Sequence, residues 1–261
     1  MGKAARHRAL RAQAAARPEP DGLRTRNLYV AVAVLAMAAA GVLVLASVLT
    51  ASDDESALAG RETDTTTVAG ATESRALLSG IPQHGIVLGR QDAPVTLVEF
   101  ADLQCPFCAD WSHNAFPDLV REYVRSGKVR IVFRGLAFIG LESQDALRFA
   151  LAAGEQGKLW NVVHLLYENQ GGENEGWVTD GLLTAVGRAV PGLDVERALA
   201  GRSRSGVETE IASAQTAAAA NGVQGTPSFA VGPTGGVLRP VALDSLEAKA
   251  FRPVLDALLA G

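Results

Sequence analysis

Val95-Thr96-Leu97-Val98-Glu99-Phe100-Ala101-Asp102-Leu103-Gln104-Cys105-Pro106-Phe107-Cys108 is the stretch on which the reading of this chain turns. Val95 to Phe100 is an apolar, partly β-branched run, which predicts a buried strand. Cys105 and Cys108 are the only cysteines among 261 residues. A Cys-x-x-Cys pair that follows a strand and opens a helix is the arrangement of a redox-active dithiol. The first thiol falls at the exposed helix N-terminus, and the second lies one turn on, along the same face.

The helix start supplies the chemistry. Its unpaired N–H groups and the positive end of its dipole favour an anion. Pro106 suits the first helical position, where a missing N–H costs nothing. Cys105 is therefore expected to be the nucleophile of lowered pKa. Lowering it by about 2 units stabilises the thiolate by about 2.7 kcal/mol. That favours the reduced form and makes the disulfide the stronger oxidant. Cys108, more shielded, is expected to be the resolving thiol.

Other uses of the pair fit less well. A zinc site needs about four ligands. The histidines are His7, His84, His113 and His164. His113 lies five residues after Cys108, a poor metal spacing, and His164 sits in an apolar helical run that reads as core. No metal and no cofactor are expected. A structural disulfide here would close a very short loop and remove little unfolded-state entropy.

Outward from the pair, a helix is predicted from Pro106 to about Arg125, with a kink near Phe116 because Pro117 lies inside it. Lys128 to Arg134 alternates and reads as a second strand. Residues 142–221 carry helical patterns separated at Gly171-Gly172 and Pro191-Gly192. Trp160 and Tyr167 read as core of that region, whereas Trp111 and Phe107 are candidates for an apolar rim, with core packing an equal reading for Trp111. Ser228 to Val231 reads as a short strand. A last helix is expected over Leu243–Leu259, capped near Asp244 or Ser245 and interrupted at Pro253. The order is that of an α/β domain.

The N-terminal part has a different character. Residues 1–27 form a basic tail with Lys3, Arg6, Arg8, Arg11, Arg17, Arg24 and Arg26 against Glu19 and Asp21. Leu28 to Thr50 holds no charged residue, and as a helix it would span roughly 34 Å, enough for a bilayer core of about 30 Å. It is expected to be a transmembrane anchor. A signal peptide is the rival reading, with Thr50-x-Ser52 as the candidate cleavage site. Basic residues stay cytoplasmic, so the rest is expected outside the cell membrane, in a single-pass arrangement. That remainder holds 17 Lys and Arg against 26 Asp and Glu, a net charge of −9, which argues against nucleic acid as a partner. Residues 51–80, rich in small and polar types, read as a flexible linker. Residues 81–261 read as one domain of ordinary size.

Three segments together resemble a known family. Phe100-Ala-Asp-Leu-Gln-Cys105-Pro-Phe-Cys108, the upstream Gly89-x-x-Asp92-Ala93-Pro94 and the later Gly222-Val-Gln-Gly-Thr226-Pro227-Ser-Phe are similar to the DsbA-like disulfide oxidoreductases, closest to their membrane-anchored bacterial forms. The resemblance implies a thioredoxin-like fold with an inserted helical domain. It implies that Thr226-Pro227 is a cis peptide facing the cysteines. It also implies that Glu99, six residues before Cys105, is a buried acid beside Cys108 that relays its proton; a surface acid at the strand edge is the plainer reading. Asp102 and Gln104 read as loop residues without a role. Phe107, between the cysteines, departs from members with a polar residue there, because it offers no donor or charge to a thiolate.

The function so implied is a thiol–disulfide oxidoreductase, an oxidase that introduces disulfides into exported proteins and is reoxidised by a membrane redox partner. Two alternatives stay open. One is an extracytoplasmic reductase or isomerase, and the other a non-enzymatic polypeptide-binding chaperone module. A hydrolase is disfavoured, since neither Ser-x-x-Lys nor Gly-x-Ser-x-Gly occurs.

Overall fold

The computed structural model describes residues 67–261. The basic tail, the anchor expected at 28–50 and most of the expected linker lie outside the described residues. Among the described residues no helix is long and apolar enough to cross a membrane.

Val95–Ala101 forms β3, preceded by two short strands, β1 (Gln83–His84) and β2 (Val87–Leu88). All seven residues of β3 are buried. That follows from its place in the sheet, whose order is β1-β2-β4-β3-β5-β6, with β4 at Val129–Gly135, β5 at Ser228–Pro233 and β6 at Arg239–Val241. β3 runs parallel to β4 and antiparallel to β5. A strand paired on both edges and covered on both faces reads as a near-continuous apolar run. Alternation along it divides the core. Leu97 and Ala101 join the main cluster, with Trp111, Phe133 and Trp160. Val98 and Phe100 turn to a smaller cluster with Val132, Ala214, Ala218 and Ala230.

Beyond β3 the helical segment breaks at its proline. α2 spans Pro106–Asn114, α3 spans Phe116–Leu119, and a π-helical turn follows over Val120–Val124. Pro117 has no N–H to give the carbonyl one turn back, and its ring crowds that carbonyl. Phe116 then stacks flat on Trp160, with ring centroids 5.3 Å apart. Gly127, at φ 74°, ends the turn and lets the chain reverse into β4.

Five helices lie between β4 and β5: α4 (Leu141–Gly154), α5 (Leu159–Glu168), α6 (Asp180–Ala189), α7 (Val195–Gly201) and α8 (Ser205–Ala220). α4, α5 and α7 pack together, while α8 lies against β4. Its Ala214 and Ala218 bring the helix close to Phe100 and Val132.

Three expectations need correction. The linker does not extend to residue 80, because Ala71–Leu78 is a helix, α1, that buries Ser74, Leu77 and Leu78. Its small and polar composition hides two leucines placed for docking, and Arg125 fixes its end by donating to the carbonyls of Leu77 and Ser79. The last helix, α9, is Ala248–Ala260 with Glu247 at its N-cap position, not Asp244 or Ser245. Pairing of β6 with β5 keeps the chain extended through Val241. Leu243 and Leu246 then pack on the core from a loop. Pro253 does not interrupt α9, since it sits on the exposed face between the buried Phe251 and Leu255.

Candidate redox site

Cys105 stands at the N-cap of α2 in an extended conformation, and Pro106 takes the first helical position. The Cys105 carbonyl accepts from the N–H groups of Cys108 at 3.1 Å and Ala109 at 3.2 Å. Both cysteines are free thiols. Cys105 is 5% exposed and Cys108 0%, so the pair is reached only at its outer sulfur.

The two sulfurs are pushed apart in acidity. A hydrogen bond from the Cys108 thiol is the largest influence on Cys105 and brings it down from 9.0 to about 6. Burial opposes this, while Thr226 and the N–H groups of Cys108 and Phe107 assist it. Cys108 is pushed well above the ordinary thiol value, first by burial and then by its hydrogen bond to Cys105. One sulfur is thus largely thiolate at neutral pH, and the other holds its proton.

The second wall of the site comes from far along the chain. Thr226-Pro227 is a cis peptide at the entry to β5. The Cys105 thiol donates to the Thr226 carbonyl at 3.2 Å. Pairing of β5 with β3 brings this loop to the cysteines.

Glu99 lies within the sheet, opposite Phe133 on β4 and Phe229 on β5. It is 0% exposed, and neither carboxylate oxygen has a hydrogen-bond partner. Burial, with a smaller push from Cys105, raises its pKa well above the usual carboxylate range and so favours the neutral acid. Its charge would also act on Cys108, which places the two groups within electrostatic reach.

Around this centre, Phe107 is 61% exposed, as are Phe138 at 60% and Leu141 at 77%. Trp111 belongs to the core, with Phe116 and Phe229 at 5.3 and 5.4 Å. His164 is buried, and burial, helped by His113, lowers its pKa to about 4, so it is neutral. Among the described residues no group of three or more His, Cys, Asp or Glu is arranged to hold a metal.

Sequence reasoning passed over the inner support of the redox loop. Asp102 and Gln104 are both 0% exposed. The Gln104 side chain donates to Ser143 Oγ at 2.9 Å and accepts from the Asn174 N–H at 2.7 Å. Gln170 Nε2 donates to the carbonyls of Leu103 at 2.9 Å and Cys105 at 3.2 Å. Tyr167, at the end of α5, donates its hydroxyl to the Asp102 carbonyl at 3.2 Å. The one available signal was two polar residues between a buried strand and a half-buried helix, where each must reach water or find a partner.

Comparison with known proteins agrees with this geometry. The model of the family described as Thioredoxin matches residues 82–245. The chain is 35% identical over 147 residues to a probable disulfide bond formation protein D of Bacillus cereus, covering 55% of this chain and 68% of the relative. Among solved structures, oxidised BdbD from Bacillus subtilis superposes with a TM-score of 0.59 at 23% identity, covering 71% of this chain and 99% of that one. A thioredoxin-like oxidoreductase from Silicibacter pomeroyi gives 0.52 at 28% identity, covering 72% and 98%.

Proposed function

The chain belongs to the thioredoxin family and is a thiol–disulfide oxidoreductase, and on that premise we propose that it runs as an oxidase that introduces disulfides into exported proteins. The observation that carries this direction is the separation of the two sulfurs, with Cys105 lowered to about 6 and Cys108 raised. A stabilised Cys105 thiolate favours the reduced pair and makes the Cys105–Cys108 disulfide an oxidant.

In this reading a client thiolate attacks Cys105 Sγ of the disulfide. A bond forms between the client and Cys105, and Cys108 leaves as a thiolate. Glu99, neutral and buried, supplies the proton that the buried Cys108 anion needs. A second client thiolate then attacks the client sulfur of the mixed disulfide. The client leaves oxidised, and both enzyme cysteines are reduced. Thr226 and the loop at Pro227 offer backbone groups to an extended client beside Cys105, while exposed Phe107 offers it apolar surface.

The anchored placement belongs to the same proposal. Residues 28–50 would hold the chain in the cell membrane, with the basic tail cytoplasmic and the thiol pair outside. A membrane redox partner would reoxidise the dithiol there.

The reductase or isomerase reading has one feature in its favour, Phe107, which brings no side-chain donor to the Cys105 thiolate. The reduction potential of the full chain in glutathione buffers decides between them. A value near about −120 mV is expected for an oxidase, and a value near about −270 mV would overturn the proposal in favour of reduction. Replacing both cysteines with Ser is expected to abolish oxidation of a reduced client; an unmodified chain that oxidises no client, with binding of unfolded polypeptide kept in the double Ser variant, would point to the chaperone reading.

A further inference from the structure

Gln170 grips the main chain of the redox loop at two points. Its Nε2 donates to the Leu103 carbonyl at 2.9 Å and to the Cys105 carbonyl at 3.2 Å. A carboxamide carries two N–H groups on one nitrogen, and here each meets an acceptor. The backbone of Cys105 is extended, at φ −72° and ψ 120°, and its carbonyl turns to the side from which Gln170 reaches it.

The grip is itself fastened. The Gln170 N–H donates to the Tyr167 carbonyl at 3.3 Å where α5 ends. Further on, Asn174, at φ 59°, donates its N–H to Gln104 Oε1 at 2.7 Å, and its Oδ1 accepts from Gln104 Nε2 at 3.3 Å. The Glu142 carboxylate of α4 accepts from the N–H groups of Gly176 at 2.8 Å and Val178 at 2.9 Å. The segment that carries Gln170 is thus tied to the redox loop and to α4, and it cannot simply follow a loop that moves.

The torsion ψ of Cys105 matters for the chemistry. Rotation about it swings the Cys105 carbonyl, Pro106 and the start of α2 against the Cys105 side chain. A thiolate gains from the positive end of α2 only while Sγ faces it. A carbonyl pinned from outside the loop does not swing. We propose that Gln170 is a positioning residue for the nucleophile: its carboxamide holds the carbonyls of Leu103 and Cys105 and fixes the torsion that aims Cys105 Sγ at the N-terminus of α2. This role rests on the reading of Cys105 as the tuned nucleophile and serves exchange in either direction of electron flow.

Alkylation of the reduced full chain by iodoacetamide across pH reads Cys105, since Cys108 is 0% exposed. Gln170→Met keeps the side chain's length and removes both N–H groups. It is expected to move the midpoint of the rate profile up by about half a pH unit, which is about threefold less thiolate at pH 5. The plateau near pH 9 is expected to stay within about twofold. A midpoint unchanged in the folded variant overturns the proposal. So does an altered plateau with the midpoint in place, which is what looser access alone gives. Nuclear magnetic resonance of the unmodified chain supplies a test that needs no substitution. The Gln170 Nε2 hydrogens are expected to exchange with water about tenfold more slowly than those of the exposed Gln91, and equal exchange overturns the proposal. If the unmodified chain itself alkylates with the midpoint of an ordinary thiol, the tuned nucleophile falls, and this role with it.

Discussion

Glu99 is a carboxyl group that neither water nor a donor reaches, and its consequences follow from that alone. The unfolded chain releases this proton near pH 4.5, while the folded chain keeps it to a much higher pH. Folding is therefore unpenalised below pH 4.5 and loses stability as pH climbs toward the raised folded pKa. Glu99→Gln keeps the shape and removes the titration. Chemical denaturation is expected to give similar stability for the two proteins near pH 4, and a variant more stable by about 1–3 kcal/mol at pH 8; an equal difference at both pH values would contradict a buried neutral acid. At this scale the sequence was informative where polarity was out of place. Two cysteines a turn apart announced themselves, whereas the burial of Glu99 came only with the family resemblance. Asp102, Gln104 and Gln170 gave no such sign, because their partners, Ser143, Asn174 and the carbonyls of Leu103 and Cys105, lie as far as 70 residues away.

Among the elements, α1 shows how periodicity misleads when few residues carry it. Two leucines in Ala71–Leu78 are enough to dock a helix of eight residues when α5 and the π-helical turn offer a surface. Leu77→Ala is expected to cost about 2 kcal/mol, read as a lower denaturant midpoint. No loss would mean that α1 merely lies on the domain. The strands were legible because β3 is a buried, mostly apolar run and β4 alternates Arg130 and Arg134 with buried apolar residues, and the break before Pro117 was legible because proline acts locally. The start of α9 was not, since strand pairing by β6 overrides the polar pair Asp244-Ser245. Between β4 and β5 the helical patterns could be seen, but not which helix faces which. That depends on small residues such as Ala214 and Ala218, whose meaning comes from what packs on them.

For the whole molecule, the pair couples redox state to stability. The folded dithiol gains from a Cys105 pKa held at about 6 instead of 9. That gain is complete near pH 9, shrinks as pH falls and is gone below about 6, whereas the raised Cys108 opposes it only above pH 9. The reduced chain is therefore expected to melt higher than the oxidised chain at pH 8, with the gap narrowing by pH 5. Calorimetry on both forms checks this, and a gap that widens toward pH 5 would refute it. Cys105 and its Thr226 contact are 121 residues apart. A ribosome adding about 5–20 residues per second needs about 6–24 s to cover that distance. For that interval each newborn copy carries its thiol pair without the Thr226 wall, so the finished site exists only once the chain has been made past β5.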